Sequence, residues 1–146
     1  MFRGYFKSEG ARRAPYLSCN IGFPDAPHLV TASVDLLVDT GAETTILARR
    51  VAENIGLDLA TLPDGGTSTG IGGTTATRAV RADISVEDYS TTIWARVQES
   101  RHPIPSVLGR DFMANFALFI EERTGRVLFL DQTDVDRYGL ATLGNP

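Results

Sequence analysis

The chain has few of the side chains that bind metals or form cross-links. Cys19 is the single cysteine among 146 residues, so no internal disulfide can form. It sits in the alternating segment YLSCNIGF, where a small buried apolar side chain is the expected role. His28 and His102 are the only histidines, and neither stands at metal-ligand spacing from other ligands. No metal site and no cofactor are therefore expected. Basic residues are in the minority, 14 Lys and Arg against 18 Asp and Glu, for a net charge of −4. That argues against nucleic acid as a partner, because phosphate binding needs clustered Lys and Arg. Only RGYFKSEGARR (3–13) is locally basic, and it is expected as a solvated N-terminal arm, residues 1–14. Long apolar runs are missing too: none approaches membrane-spanning length, and the N-terminus lacks the apolar stretch of a signal peptide. The expectation is a soluble, cytoplasmic protein without a membrane partner. A chain opening on Met1 is read as an independent product.

What the chain does contain is strand signal. PYLSCNIGF (15–23) alternates and PDAP (24–27) breaks it; HLVTASVDLLVDTG (28–41) follows as a second strand. In that strand Val34, Leu36 and Val38 share one face, and Asp35, Leu37 and Asp39 the other. ILARRVAENIG (46–56) reads as helical from about Ala48, with Gly56 as its stop. LPDGGTSTGIGGTTA (62–76) reads as a loop or mobile hairpin. TRAVRADISVED (77–88) and STTIWARVQ (90–98) alternate again. VLGRDFMANF (107–116) predicts a short strand, a glycine turn and a short helix. ALFIEERTGRVLFLD (117–131) predicts a hairpin turning at RTG. The tail 132–146 is weakly patterned, as a fringe strand or a disordered end. The sum is one all-β domain, most simply a small closed barrel with one or two short helices.

The informative stretch is LLVDTGAETTIL (36–47), an apolar strand ending abruptly on Asp39, Thr40 and Gly41. A bare carboxylate there is costly unless it is paired, hydrogen-bonded or needed for chemistry. Alone, Asp39 could simply cap a turn. Facing a second carboxylate about 3 Å away, it could share a proton, activate a water and polarise a carbonyl, which is direct hydrolysis of an amide. Gly41 would let a peptide backbone approach closely.

Taken in order, VDLLVDTGAETTIL, STGIGGTT, IPSVLGRDFM and FIEERTGRVLFL resemble the retropepsin-like aspartic proteases over about residues 15–131. The resemblance implies that Asp39 is the catalytic aspartate, that Thr40 stiffens the dyad across the partner's backbone, and that Gly41 accepts a substrate hydrogen bond. It implies a flap tip at Gly70, Ile71, Gly72 and Gly73, and substrate contacts from these together with Ala42, Ile104, Pro105 and Val107. Glu43 falls where such enzymes usually carry an acid, so an Arg110–Glu43 ion pair is expected to brace the active-site loop.

The dyad needs two aspartates and the chain supplies one motif, because ERTG (122–125) has Arg123 where the acid would be. A homodimer acting on an extended polypeptide is therefore implied, with RVLFLDQ (126–132) as the expected pairing edge and residues 132–146 as an extension. The competing reading is a catalytically silent peptide-binding dimer of the same fold. A nucleotide-binding reading of DTGAET lacks the second phosphate loop and the long helices that it needs.

Overall fold

Period-two alternation of apolar residues organises most of the backbone into strands. The computed structural model describes residues 1–70 and 73–145. In chain order, β1 (Phe2–Glu9) and β2 (Arg12–Gly22) form a hairpin, followed by β3 (Ala32–Val38), β4 (Ile46–Leu47) and helix α1 (Arg49–Ile55). A second hairpin joins β5 (Asp64–Gly70) to β6 (Gly73–Val86), and β7 (Tyr89–Gln98) pairs back along β6. Then come β8 (Val107–Leu108), the short helix α2 (Arg110–Met113), the hairpin β9 (Ala117–Glu121) and β10 (Arg126–Leu130), and helix α3 (Gln132–Arg137). All the described strands lie in one sheet, ordered β5-β6-β7-β4-β8-β3-β2-β1-β10-β9, and a further pairing of β6 with β2 folds it back on itself. The expectation of a mostly β chain with few short helices holds.

The core forms where the inward rows of these strands meet. Leu17, Ile21, Leu36, Leu47, Ile84, Val97, Leu108 and Phe129 are fully buried. One end is closed by rings: Phe2, Tyr89, Phe112, Phe116 and Phe129 pack with centroids 4.9–6.4 Å apart. Fully burying a side chain of this size contributes about 1.5–3 kcal/mol. The cluster ties β1, α2 and β10 together.

Three expectations are corrected here. The basic stretch 3–13 is not a solvated arm but strand β1 and the start of β2, paired with β10 on its other side. Two of its four cations are engaged, Lys7 with Asp35 at 3.3 Å and Arg13 with the Glu122 carbonyl at 3.1 Å. Among the described residues the tail after residue 131 forms no strand. It carries α3, started by a capping box in which Asp131 accepts from the Asp134 N–H and Asp134 accepts from the Asp131 N–H. Finally, β10, which contains most of RVLFLDQ, is no free edge, because β1 and β9 flank it; the free edges are β5 and β9. Helix α1 ends as expected: Gly56 takes the left-handed conformation (φ 109°) and its N–H closes onto Ala52 and Glu53. Among the described residues no helix is long and apolar enough to cross a membrane.

The ion pairs that fasten these strands make the fold sensitive to acid. The Arg81 guanidinium holds Asp25 below its ordinary value, Arg49 does so for Glu53, and the Thr124 hydroxyl with Arg126 does so for Glu121. Burial would raise Asp35, but hydrogen bonds from Ser18, Tyr5 and Lys7 outweigh it and hold it low. In each case the unfolded chain binds the proton more tightly. Their stabilisation is thus complete above the unfolded values and lost as pH falls through the folded ones. The melting temperature should be level from neutral pH down to about pH 5 and fall progressively below about pH 4. Circular-dichroism melts across that range check this; a flat profile would contradict it.

Candidate active site

Strand β3 delivers Asp39 to the surface because its alternate residues are committed to the core. Val34, Leu36 and Val38 are buried, so Leu37 and Asp39 point to the opposite face. The turn that follows is closed on Asp39 itself. Gly41 N–H donates to Asp39 Oδ1 at 3.0 Å and Ala42 N–H to the Asp39 carbonyl at 3.1 Å. Asp39 N–H donates to Leu108 O at 3.2 Å, which fixes the carboxylate against β8. One oxygen of a half-buried carboxylate is thereby oriented, and no second carboxylate of the described residues is hydrogen-bonded to it. Thr40 beside it is exposed, and neither its hydroxyl nor the Gly41 carbonyl has a hydrogen bond within the described chain. Ala42 differs, since its N–H and its carbonyl are both used in holding the turn.

A row of side chains runs across the sheet from this point. Leu37 lies opposite Val107, Val107 opposite Ile46, and Ile46 opposite Arg96, so one residue from each of β3, β8, β4 and β7 shares the Asp39 face. The companion row, Val38, Leu108, Leu47 and Val97, is buried in the core. The outward row is therefore a half-buried wall beside the carboxylate. Val107, expected as a substrate contact, belongs to this row; Leu37, Ile46 and Arg96 were not singled out in the sequence. Ile104 and Pro105 are not part of this row of paired residues. Pro105 borders a cavity of about 320 Å³ with Tyr16, Asp35 and Arg50, and Ile104 borders one of about 120 Å³ with Ala48 and Arg101.

The expected brace is present but is not what holds the turn. Arg110 and Glu43 approach to 3.6 Å with both side chains mostly exposed, an arrangement that contributes little. Backbone and buried hydroxyl bonds hold it instead. Arg110 N–H donates to Ala42 O at 2.8 Å and Asp111 N–H to Glu43 O at 3.1 Å. The Asp111 carboxylate accepts from Thr45 N–H at 2.9 Å and from Thr45 Oγ1 at 2.7 Å, and Thr45 Oγ1 accepts from Gly109 N–H at 3.1 Å. Thr45 is fully buried. At Gly109 the chains cross so closely that a Cβ would lie 2.4 Å from the Thr44 carbonyl carbon, so only glycine fits. Thr45→Val removes both hydroxyl bonds and leaves Gly109 N–H without its acceptor. It should cost about 2–3 kcal/mol in urea unfolding; a change below about 0.5 kcal/mol would contradict this role.

The β5–β6 hairpin meets the end of this row, where Arg96 Nη1 donates to the Thr67 carbonyl at 3.5 Å. Its arms pair in register to Gly70 opposite Gly73, with Thr69 and Thr74 hydroxyls 2.9 Å apart. The expected tip residues Ile71 and Gly72 lie outside the described residues; Gly70 and Gly73 are exposed. At its root Arg78 binds the Leu62 carbonyl at 3.0 Å and the Glu99 carboxylate. Cys19 is a core residue, and burial pushes its thiol up to about 12. No cluster of His, Cys, Asp and Glu among the described residues could hold a metal.

An Asp-Thr-Gly turn locked from behind by a Gly-Arg-Asp segment, on a folded-over sheet with a long hairpin, defines the retropepsin-like aspartic protease fold. Solved structures agree. A retropepsin-like aspartic protease from Rickettsia conorii matches with TM-score 0.59 and 18% identity, over 86% of this chain and 87% of that one. EIAV protease in complex with the inhibitor HBY-793 matches with TM-score 0.56 and 19% identity, over 74% and 92%. The retroviral protease-like domain of Ddi1 from Leishmania major matches with TM-score 0.51 and 19% identity, over 82% and 95%. No curated protein sequence matches the chain. Residues 30–115, more than half of the chain, match the gag-polyprotein putative aspartyl protease family, and the chain belongs to that family.

Proposed function

We propose that the protein is an aspartic endopeptidase that works as a homodimer, with one Asp39 from each copy forming the catalytic dyad. The observation that carries this reading is the placement of Asp39: an oriented, half-buried carboxylate at the head of a mostly apolar wall, with Thr40 and the Gly41 carbonyl left open beside it. Two such acids brought together share one proton, and their titrations split. The ionised one takes a proton from a water held between them as its oxygen attacks the peptide carbonyl carbon, while the protonated one donates to the carbonyl oxygen. Collapse of the tetrahedral diol returns a proton to the leaving amine, with no covalent intermediate. The β5–β6 hairpin acts as the flap, closing over an extended polypeptide and excluding water.

Strand β9 is the edge through which two copies pair in this reading. It has a neighbour on one side only, carries neither lysine nor proline, and exposes Phe119 and Ile120. Antiparallel β9–β9′ pairing about a two-fold axis satisfies its open backbone groups and makes the interface isologous. A cytoplasmic location belongs to the same reading, supported by the single, unpaired cysteine. The test is incubation with denatured protein and a peptide library from about pH 4 to 7, with and without a statine-type inhibitor, beside Asp39→Asn. Inhibitor-sensitive cleavage absent from the variant supports the reading. No cleavage by a verified dimer would instead favour a silent peptide-binding module.

A further inference from the structure

The wall beside Asp39 is apolar along three of its four members and ends on a cation. Arg96 stands in register with Ile46, which neighbours Val107, which neighbours Leu37, all on the face that carries Asp39. Its backbone is fixed, with the Arg96 N–H donating to Thr45 O at 3.0 Å, so Thr45 holds both the catalytic turn and this position. The side chain is half-buried, and among the described residues its one hydrogen bond is a long, exposed contact of 3.5 Å from Nη1 to the Thr67 carbonyl on the β5 arm of the hairpin. Among the described residues no carboxylate pairs with it, although Arg49, Arg78, Arg81, Arg101, Arg110, Arg123 and Arg126 all have acidic partners. A partly exposed guanidinium, beside the β5 arm of the hairpin and an apolar wall, lacks the planar anion that its fork fits.

We propose that Arg96 is a specificity-determining residue that receives an acidic side chain of the bound polypeptide, so that the protein selects Glu or Asp close to the bond aligned with Asp39. This rests on the reading of the face as a peptide cleft, but not on catalysis. The aliphatic stem of the arginine continues the wall of Leu37, Val107 and Ile46, and its head meets the carboxylate at the far end. Such a pocket takes an acidic residue and rejects lysine by like charge. It takes a plain apolar residue poorly, because the guanidinium would then be covered without a partner.

The test uses full-length Asp39→Asn protein, so that binding is read without turnover. The probes are fluorescent decapeptides with an apolar centre and Glu, Gln, Leu or Lys at each flanking position in turn. At one position Glu should bind about tenfold tighter than Gln, and Lys weaker still. Arg96→Gln should bring the Glu and Gln peptides within about twofold, and Arg96→Met should shift the preference to Leu. Retention of the Glu preference in both variants would overturn the role of Arg96. So would equal binding of Glu and Gln peptides to the Asp39→Asn parent, while cleavage by the wild type kept the protease reading intact. Failure of every peptide to bind a verified dimer would overturn both.

Discussion

Asp39→Asn is expected to reduce peptide hydrolysis by at least about 10⁴-fold while leaving the fold intact. Both parts of the expectation come from the same hydrogen bond. Gly41 N–H donates to Asp39 Oδ1, and the amide oxygen of asparagine accepts that bond equally well, so the turn keeps its shape. What is lost is the ability to ionise and to take a proton from water. A dyad of two asparagines has no base at all. The melting temperature should therefore stay level or rise, since the dyad no longer holds a negative charge at the interface. If Asp39 were only a turn cap, asparagine would serve as well and activity would survive; steady-state cleavage assays with thermal melts on the same samples separate the cases.

Ile120→Lys should leave a folded chain that is monomeric and nearly inactive. Ile120 is exposed on the outermost strand, so the substitution disturbs no core contact. At an isologous β9–β9′ interface it acts twice, adding two desolvated ammonium groups near the axis. A loss of about 2.7 kcal/mol in association would weaken the dimer about 100-fold. Sedimentation should show the shift to monomer, and wild-type activity should itself fall faster than linearly on dilution. An Ile120→Lys protein that stays dimeric and active would place the interface elsewhere.

How much of this could be read in one dimension depended on whether the signal was local. The face on which Asp39 lies followed from the alternation of Val34, Leu36 and Val38, and Gly56 ended α1 for a reason visible in the residue type. The N-terminal strand was missed because the charges of Arg3, Lys7, Arg12 and Arg13 drew attention from Phe2 and Phe6, the residues that pack against the core. The capping box at Asp131 and Asp134 was a local signal for α3 that went unused. Other features had no local trace. Thr45 meets Asp111 across 66 residues. The identity of the free edge depends on the pairing order, which puts β1 rather than a second copy beside β10. Arg96 joins the wall of Leu37 only through three successive strand registers, so STTIWARVQ alone shows an arginine in an alternating strand and nothing more.

The central claim is that each active site contains two copies of Asp39, and a subunit-mixing titration tests it most directly. Wild-type chain is held constant, Asp39→Asn chain is added in increasing excess, subunits are allowed to exchange, and cleavage is followed. Mixed dimers carry one acid and are inactive, so activity should fall in proportion to the wild-type fraction, to about one quarter with a threefold excess of the variant. Activity that stays constant as the variant is added would mean that one Asp39 suffices, and the two-chain active site would be wrong.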